Sequence, residues 1–109
     1  MPWVAGAMPM DAPAHGGSEA RGPADQAMMG GMKTMQQAMS RAPMTGDPDH
    51  DFVSMMMPHH QGAIDMAEDE LRYGKDPGLR RLAREIIAAQ KREIAQMAAW
   101  MSAHPSPAP

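Results

Sequence analysis

The chain has 109 residues, and its 43% hydrophobic content comes largely from 15 methionines and from alanine, because Leu, Ile, Val and Phe together number only ten. This composition argues against a Leu/Ile/Val-packed enzyme core, and also against a sheet, since β-branched and aromatic residues are scarce. The net charge of −3 argues against nucleic-acid binding, the absence of cysteine excludes disulfides and thiolate chemistry, and no run of about 18 apolar residues is present to span a membrane.

The two ends of the chain are predicted to be disordered tails around a helical domain at residues 25–103. Residues 1–24 contain eight prolines and glycines, and residues 104–109 alternate proline with other residues. Such segments do not hold a packed element. The first seven residues are interpreted as what remains of a processed export signal.

The first helix is predicted from about Asp25, as its cap, to Ser40. Gly30 and Gly31 each weaken it by about 1 kcal/mol relative to alanine, so it needs packing or a ligand to be stable. Four methionines at helical spacing form one stripe: Met28, Met32, Met35 and Met39. Such a stripe is ordinarily a core face, but thioethers are also soft ligands for Cu(I) or Ag(I).

The second helix is predicted from Pro48 to Tyr73, with Asp47 as N-cap and Gly74 as its stop. Pro58 lies inside it and predicts a kink. Helical spacing predicts one apolar face: Phe52, Met56, Ala63, Ile64 and Ala67. The same count gives an opposite, polar face: Ser54, Gln61, Asp65, Glu68 and Arg72.

Two adjacent histidines, His59 and His60, fall beside this apolar face rather than toward solvent. Met56 lies one turn before both, so its thioether and the imidazoles share one side of the helix. Met66 follows His59 by two turns along the same side. Two interpretations stay open, because the histidines either ligate a metal or are hydrogen-bonded core residues.

The third helix is predicted from Pro77 to Ala103, capped by Asp76, and its short connection to the second helix predicts an antiparallel hairpin. Its apolar face is predicted to contain Leu79, Leu82, Ala83, Ile86, Met97, Trp100 and Met101. Gln90 and Glu93 lie in the middle of that face. A carboxylate in a core is costly unless it is paired or near a metal, so Glu93 is expected to pair with a protonated histidine or to support a histidine-bound metal.

Two strings resemble the signatures of the CopM-like proteins, ferritin-like helical proteins long catalogued as a domain of unknown function. They are Met56-Met57-Pro58-His59-His60-Gln61-Gly62-Ala63-Ile64-Asp65-Met66-Ala67 and the segment from Leu82 to Met97. The resemblance covers about residues 47–101. It implies a periplasmic or exported helical bundle that binds copper, and silver, for copper tolerance. It implies these characteristic positions: Met56, His59, His60, Met66, Gln90, Glu93 and Met97. The methionine-rich first helix lies outside both signatures.

We therefore expect an all-α fold, a small ferritin-like bundle in which an antiparallel hairpin is joined by a shorter methionine-rich first helix. Three helices leave an open side, and a second copy could close it, which makes a homodimer one expectation. The expected function is non-catalytic binding of Cu(I), and of Ag(I), for copper tolerance, storage or transfer. A copper exporter or chaperone is the expected partner.

The expected ligands fall into two groups. The best are His59, His60, Met56 and Met97, with Glu93 orienting a histidine or supplying an oxygen. The row formed by Met28, Met32, Met35 and Met39 would be a second, softer site or an entry path. Two alternatives remain open, namely a methionine-rich groove that binds a partner helix without metal and a copper-dependent redox enzyme such as a cuprous oxidase.

Overall fold

The computed structural model describes residues 22–105, which form three α-helices and contain no strand. These are α1 at Pro23–Ser40, α2 at Pro48–Tyr73 and α3 at Pro77–Ala103. The predicted all-α class is confirmed, while its ferritin-like detail stays a prediction. Most of the two predicted tails, residues 1–21 and 106–109, lies outside the described residues.

The ends of α2 and α3 lie where the sequence predicts them. Asp47 accepts a hydrogen bond from Asp49 N at 3.2 Å, and Asp76 accepts one from Leu79 N at 2.8 Å. The first helix differs, because α1 begins at Pro23 with Gly22 as N-cap and, in the described chain, has no side-chain cap. The prediction that Asp25 caps it is wrong; Asp25 lies in the first turn, where the helix dipole favours a carboxylate.

The three helices do not form a closed bundle, because α1 and α3 each pack on α2 and, within residues 22–105, do not pack on each other. The predicted antiparallel hairpin of α2 and α3 is confirmed. Arg80 secures its connection by donating hydrogen bonds from Nη1 to Leu71 O at 2.5 Å and to Gly74 O at 3.2 Å. No helix in this range has the length and apolarity needed to cross a bilayer.

The core lies between α2 and α3 and is small. Among the described residues the buried apolar side chains are those of Val53, Ile64, Ala67 and Ala83. Phe52 was predicted to be on the apolar face but is 60% exposed, whereas Ser54, predicted to be polar-facing, is buried. The reason is that α1 and α3 cover two flanks of α2 and leave the Phe52 side open.

Candidate metal-binding face

His60 and Glu93 form the one ion pair found within residues 22–105 and join α2 to α3. Their Nε2 and Oε1 atoms lie 2.5 Å apart. The other ring nitrogen of His60, Nδ1, lies 2.9 Å from the backbone oxygen of Met56. A carbonyl oxygen only accepts hydrogen bonds, so Nδ1 donates to Met56 O, and a proton must also lie between Nε2 and the Glu93 carboxyl at 2.5 Å. The backbone therefore orients Nε2 toward the Glu93 carboxylate.

The other residues predicted around this pair lie at different depths. His59 is exposed, which corrects the expectation that it does not face solvent, and the side chain of Met56 is half-buried. Gln90 lies one turn before Glu93, and its Oε1 is buried without a hydrogen-bond partner among the described residues. His60 and Glu93 are thus the two predicted residues that the structure joins by direct contact at this point.

Methionines of α1 and α2 line a shared cavity of about 230 Å³. Three are from the stripe on α1, Met28, Met32 and Met35, and the fourth is Met66 of α2. The rest of the lining consists of Gly31, Gly62, Ala63 and Asp69. We call this the thioether cavity. Met39, the last member of the predicted row, does not line it.

Glycine allows the close approach that forms this cavity. A Cβ added at Gly62 would lie 2.6 Å from the Sδ of Met35 and 3.2 Å from its Cγ. Across the same interface, a Cβ at Gly31 would lie 3.9 Å from Cβ of Asp65. The lack of a side chain at Gly62 therefore places the Met35 thioether against the backbone of α2.

Two further cavities lie along the groove between α2 and α3. One, of about 270 Å³, is lined by Asp49, Phe52, Val53, Gln96, Met97 and Trp100. The other, of about 230 Å³, is lined by Ala63, Met66, Ala67, Glu70, Leu79, Leu82, Ala83 and Ile86. Met97 is therefore in a different cavity from Met66. Ala63 and Met66 line both the second groove cavity and the thioether cavity, so this part of α2 lies between its two neighbours and contributes to both cavities.

One stripe of α2 faces the side of the molecule that α1 and α3 leave open. Its members recur at three- or four-residue spacing: Phe52, Met56, His59, Ala63, Met66 and Glu70. We call this stripe, with α1 on one flank and α3 on the other, the open face. Most of the predicted soft ligands lie on it or at its edges. No three His, Asp or Glu side chains in the described range are close enough to hold a metal ion between them.

The connection between α1 and α2 is fixed by Asp51. Its carboxylate accepts hydrogen bonds from Thr45 N at 2.8 Å, Thr45 Oγ1 at 3.0 Å and Gly46 N at 3.0 Å. The Thr45 N–H is the main cause that holds the pKa of the Asp51 carboxyl below its ordinary value. Gly46 has φ of 87°, a left-handed conformation that glycine adopts without strain.

An aromatic cluster at the end of the hairpin was not predicted. The buried His50 ring meets the edge of Trp100 at a centroid distance of 6.1 Å, and His104 stacks on Trp100 at 4.3 Å. His104 also approaches the Trp100 carbonyl through Nδ1 at 2.9 Å. The signal available in the sequence was the hairpin itself, because antiparallel pairing places position 50 opposite position 100.

These observations define a small all-α protein with an open, methionine-rich face. The chain belongs to the family described as Domain of unknown function (DUF305), whose family model matches residues 2–101. It is also similar to Uncharacterized protein L153 of Acanthamoeba polyphaga mimivirus, at 39% identity over 49 residues. That match covers 45% of this chain and 32% of the viral protein, so the similarity spans about a third of the relative's length. Membership of a family catalogued as a domain of unknown function, as expected from the two signatures, is thereby confirmed.

Proposed function

We propose that this protein binds Cu(I), and Ag(I) by the same chemistry, without catalysing a reaction. The observation that carries the proposal is the thioether cavity, where Met28, Met32 and Met35 of one helix meet Met66 of the next. Thioether sulfur is a soft, neutral ligand that suits monovalent coinage-metal ions, while Mg²⁺ and Ca²⁺ require clusters of oxygen ligands. A single carboxylate, Asp69, lines the cavity, and no basic residue does.

Methionine also suits this role mechanically. Its unbranched side chain has three rotatable bonds, so several thioethers can close around an ion that is much smaller than the cavity. The same flexibility makes methionine a weak specifier of a unique core. Four methionines at one helix interface are therefore better explained by ligand binding than by packing alone.

His60 and Glu93 support a second part of the site, in which nitrogen and oxygen are harder ligands than thioether sulfur. The Nε2 atom of His60 is oriented by the hydrogen bond from Nδ1 to Met56 O, as expected of a metal-ligating histidine. Glu93 lies against that same atom, so an ion would replace the proton between Nε2 and Oε1, and Glu93 would donate an oxygen to the ion while the Met56 carbonyl orients the ring. We propose His60 as the ligand here, with Glu93 supporting it and with His59, Met56 and Met97 as the further candidates.

The biological role we propose is copper tolerance, through storage or transfer of Cu(I) to an exporter or chaperone. Weak thioether sites favour exchange with such a partner over permanent sequestration. An exported or periplasmic location agrees with the composition, because a chain without cysteine has no thiol to lose by oxidation. The resemblance to the CopM-like proteins points the same way.

Metal titration of a matched pair of variants tests the proposal. Ag(I) is added to the metal-free full chain and counted by native mass spectrometry, and Cu(I) affinity is measured against a cuprous chelator. Replacing the four methionines that line the thioether cavity with leucine conserves volume and should keep the helices, yet should remove a bound equivalent. The control is the double variant Met29→Leu and Met44→Leu, at two exposed sites outside the cavity, which should bind as the natural chain does.

Copper X-ray absorption supplies an independent readout, because Cu–S scattering is expected in the natural chain and should decrease in the four-leucine variant. If the natural chain binds neither ion, the proposal is wrong. The exposed Phe52, Leu79 and Leu82 would then favour the other candidate, a methionine-rich surface that binds a protein helix without metal.

A further inference from the structure

The open face exposes more apolar surface than a small monomer ordinarily leaves in water. Five large side chains on it or bordering it are 38–60% exposed: Met32, Phe52, Met66, Leu79 and Leu82. By contrast, the described residues bury four apolar side chains, two of which are alanines, and none of their side chains is less than 2% exposed. The groove between α2 and α3 therefore presents an apolar surface of the kind that is ordinarily buried against another element or molecule.

The exposed apolar area is large enough for an interface between two copies of this chain. A half-exposed Leu, Met or Phe leaves on the order of 100 Å² in water, so five such residues on each of two copies come to about 1,000 Å², which is where specific interfaces begin. A two-fold axis gives each copy the same contacts and closes the assembly, so no apolar face is left over.

The residue spacing of the stripe on α2 also allows the stripes of two copies to pair with each other. Its members lie evenly on both sides of position 61, with Met56 and Met66 equidistant from it and Phe52 and Glu70 at the ends. We propose that a second copy of this chain covers the open face, with the two α2 helices antiparallel across a two-fold axis that passes between His59 and Ala63, level with position 61 along the helix. Met56 of each copy then lies opposite Met66 of the other, and the Phe52 ring of one copy enters the neighbouring groove.

The oligomeric state of the full chain tests this proposal, and it does so without metal. In sedimentation with a chelator present, the natural chain should have twice its monomer mass at micromolar concentrations. Phe52→Glu and Leu82→Glu, both at exposed positions, should each raise the dimer dissociation constant at least about tenfold, because a carboxylate buried without a partner is strongly disfavoured. Met29→Glu, at an exposed methionine that lines none of the cavities described, should leave the mass unchanged.

Disulfide trapping tests the register, since the natural chain has no cysteine. Single variants M56C and M66C, mixed and oxidised, should form the mixed dimer in preference to either homodimer, because positions 56 and 66 on one helix are about 15 Å apart. M29C mixed with M66C should not cross-link. A monomeric natural chain would overturn the proposal and leave the face to residues 1–21 or to a different protein, and a dimer indifferent to both glutamate variants would overturn it as well.

Discussion

The two interfaces of α2 are held together by different means. Toward α3, α2 buries Val53 and Ile64, forms the His60–Glu93 pair, and is joined through a connection that Arg80 secures. Toward α1, the described residues offer methionine side chains and two glycines, and α1 itself has no buried residue and no side-chain cap. The α2–α3 hairpin is thus built by packing and polar contacts, whereas α1 is held by adaptable thioethers.

This difference shows where a ligand adds most. An interface that is already packed gains little from an ion, but an interface made of thioethers gains metal–sulfur bonds that no other contact supplies. If the proposed function is correct, metal binding at the thioether cavity stabilises the docking of α1 rather than the hairpin. Within the described chain, the weaker interface, between α1 and α2, would then be the one that metal binding stabilises most.

Truncation of the hairpin core should have the largest effect. Ile64 is 4% exposed, and Ile64→Ala should lower the free energy of unfolding by about 2–5 kcal/mol in chemical denaturation followed by circular dichroism. Met35→Ala in α1 should cost less, because Met35 is only partly buried. Equal losses for the two variants would show that the α1 interface contributes as much stability as the hairpin core, contrary to this expectation.

Silver binding should protect α1 more than the hairpin. At free Ag(I) one hundred times the dissociation constant, a ligand that binds only the folded site adds about 2.7 kcal/mol of stability. Hydrogen exchange read by mass spectrometry should therefore slow most in peptides of Pro23–Ser40. Binding without selective protection of this helix would reject the thioether cavity as the site and leave His60 and Glu93 as the remaining candidates.

Much of the fold follows from local signals in the sequence. The bounds of α2 and α3 were predictable because an aspartate cap and an N1 proline mark each start, at Asp47 and Asp76. The start of α1 was misplaced by two residues, since Gly22 is a weaker cap signal than Asp25. These signals lie within a few residues of the helix ends, so they need no knowledge of tertiary contacts.

The arrangement of the site was less predictable, because helical periodicity gives a face of one helix but not which neighbour covers it. Spacing alone grouped Met66 with His59, yet the cavity groups it with the α1 row. It also predicted Phe52 inside and Ser54 outside, the reverse of the structure. Both outcomes depend on the angle at which α1 and α3 flank α2, which no single-helix pattern encodes.

Removing the Glu93 charge tests the polar contact between α2 and α3. Glu93→Gln should change the free energy of unfolding by less than about 1 kcal/mol, because the Glu93 side chain is 52% exposed. If Glu93 supports a histidine ligand, the same variant should weaken Cu(I) binding by about 10- to 100-fold. Glu85→Gln, an exposed residue on the same helix, is the control. Unchanged affinity would remove Glu93 from the site.

Adding a methyl group at Gly62 should affect the α1–α2 interface and the α2–α3 hairpin in opposite directions. Gly62→Ala should stabilise α2 by up to about 1 kcal/mol through helix propensity, while its Cβ displaces the Met35 thioether. We expect lower exchange protection in α1 and weaker Ag(I) binding, with the hairpin at least as stable as before. Gly30→Ala is the matched control, because its Cβ would meet nothing within 4 Å and should strengthen α1. Equal binding by both variants would show that the Met35 position is unimportant.

The smallest effect should come from the connection that leads α1 into α2. Because the pKa of the Asp51 carboxyl is lowered in the folded chain, the folded state holds its proton less tightly than the unfolded chain does. The resulting stabilisation is therefore complete above the unfolded pKa and is lost as the pH falls through the folded pKa. Asp51→Asn should abolish this acid-limb dependence and slightly lower the free energy of unfolding at neutral pH, with the least effect in acid, where the natural carboxyl is itself protonated. Carboxyl NMR titration of the natural chain gives the direct check, and an Asp51 midpoint at or above that of an unfolded aspartate would show that the three donors from Thr45 and Gly46 do not hold it in solution.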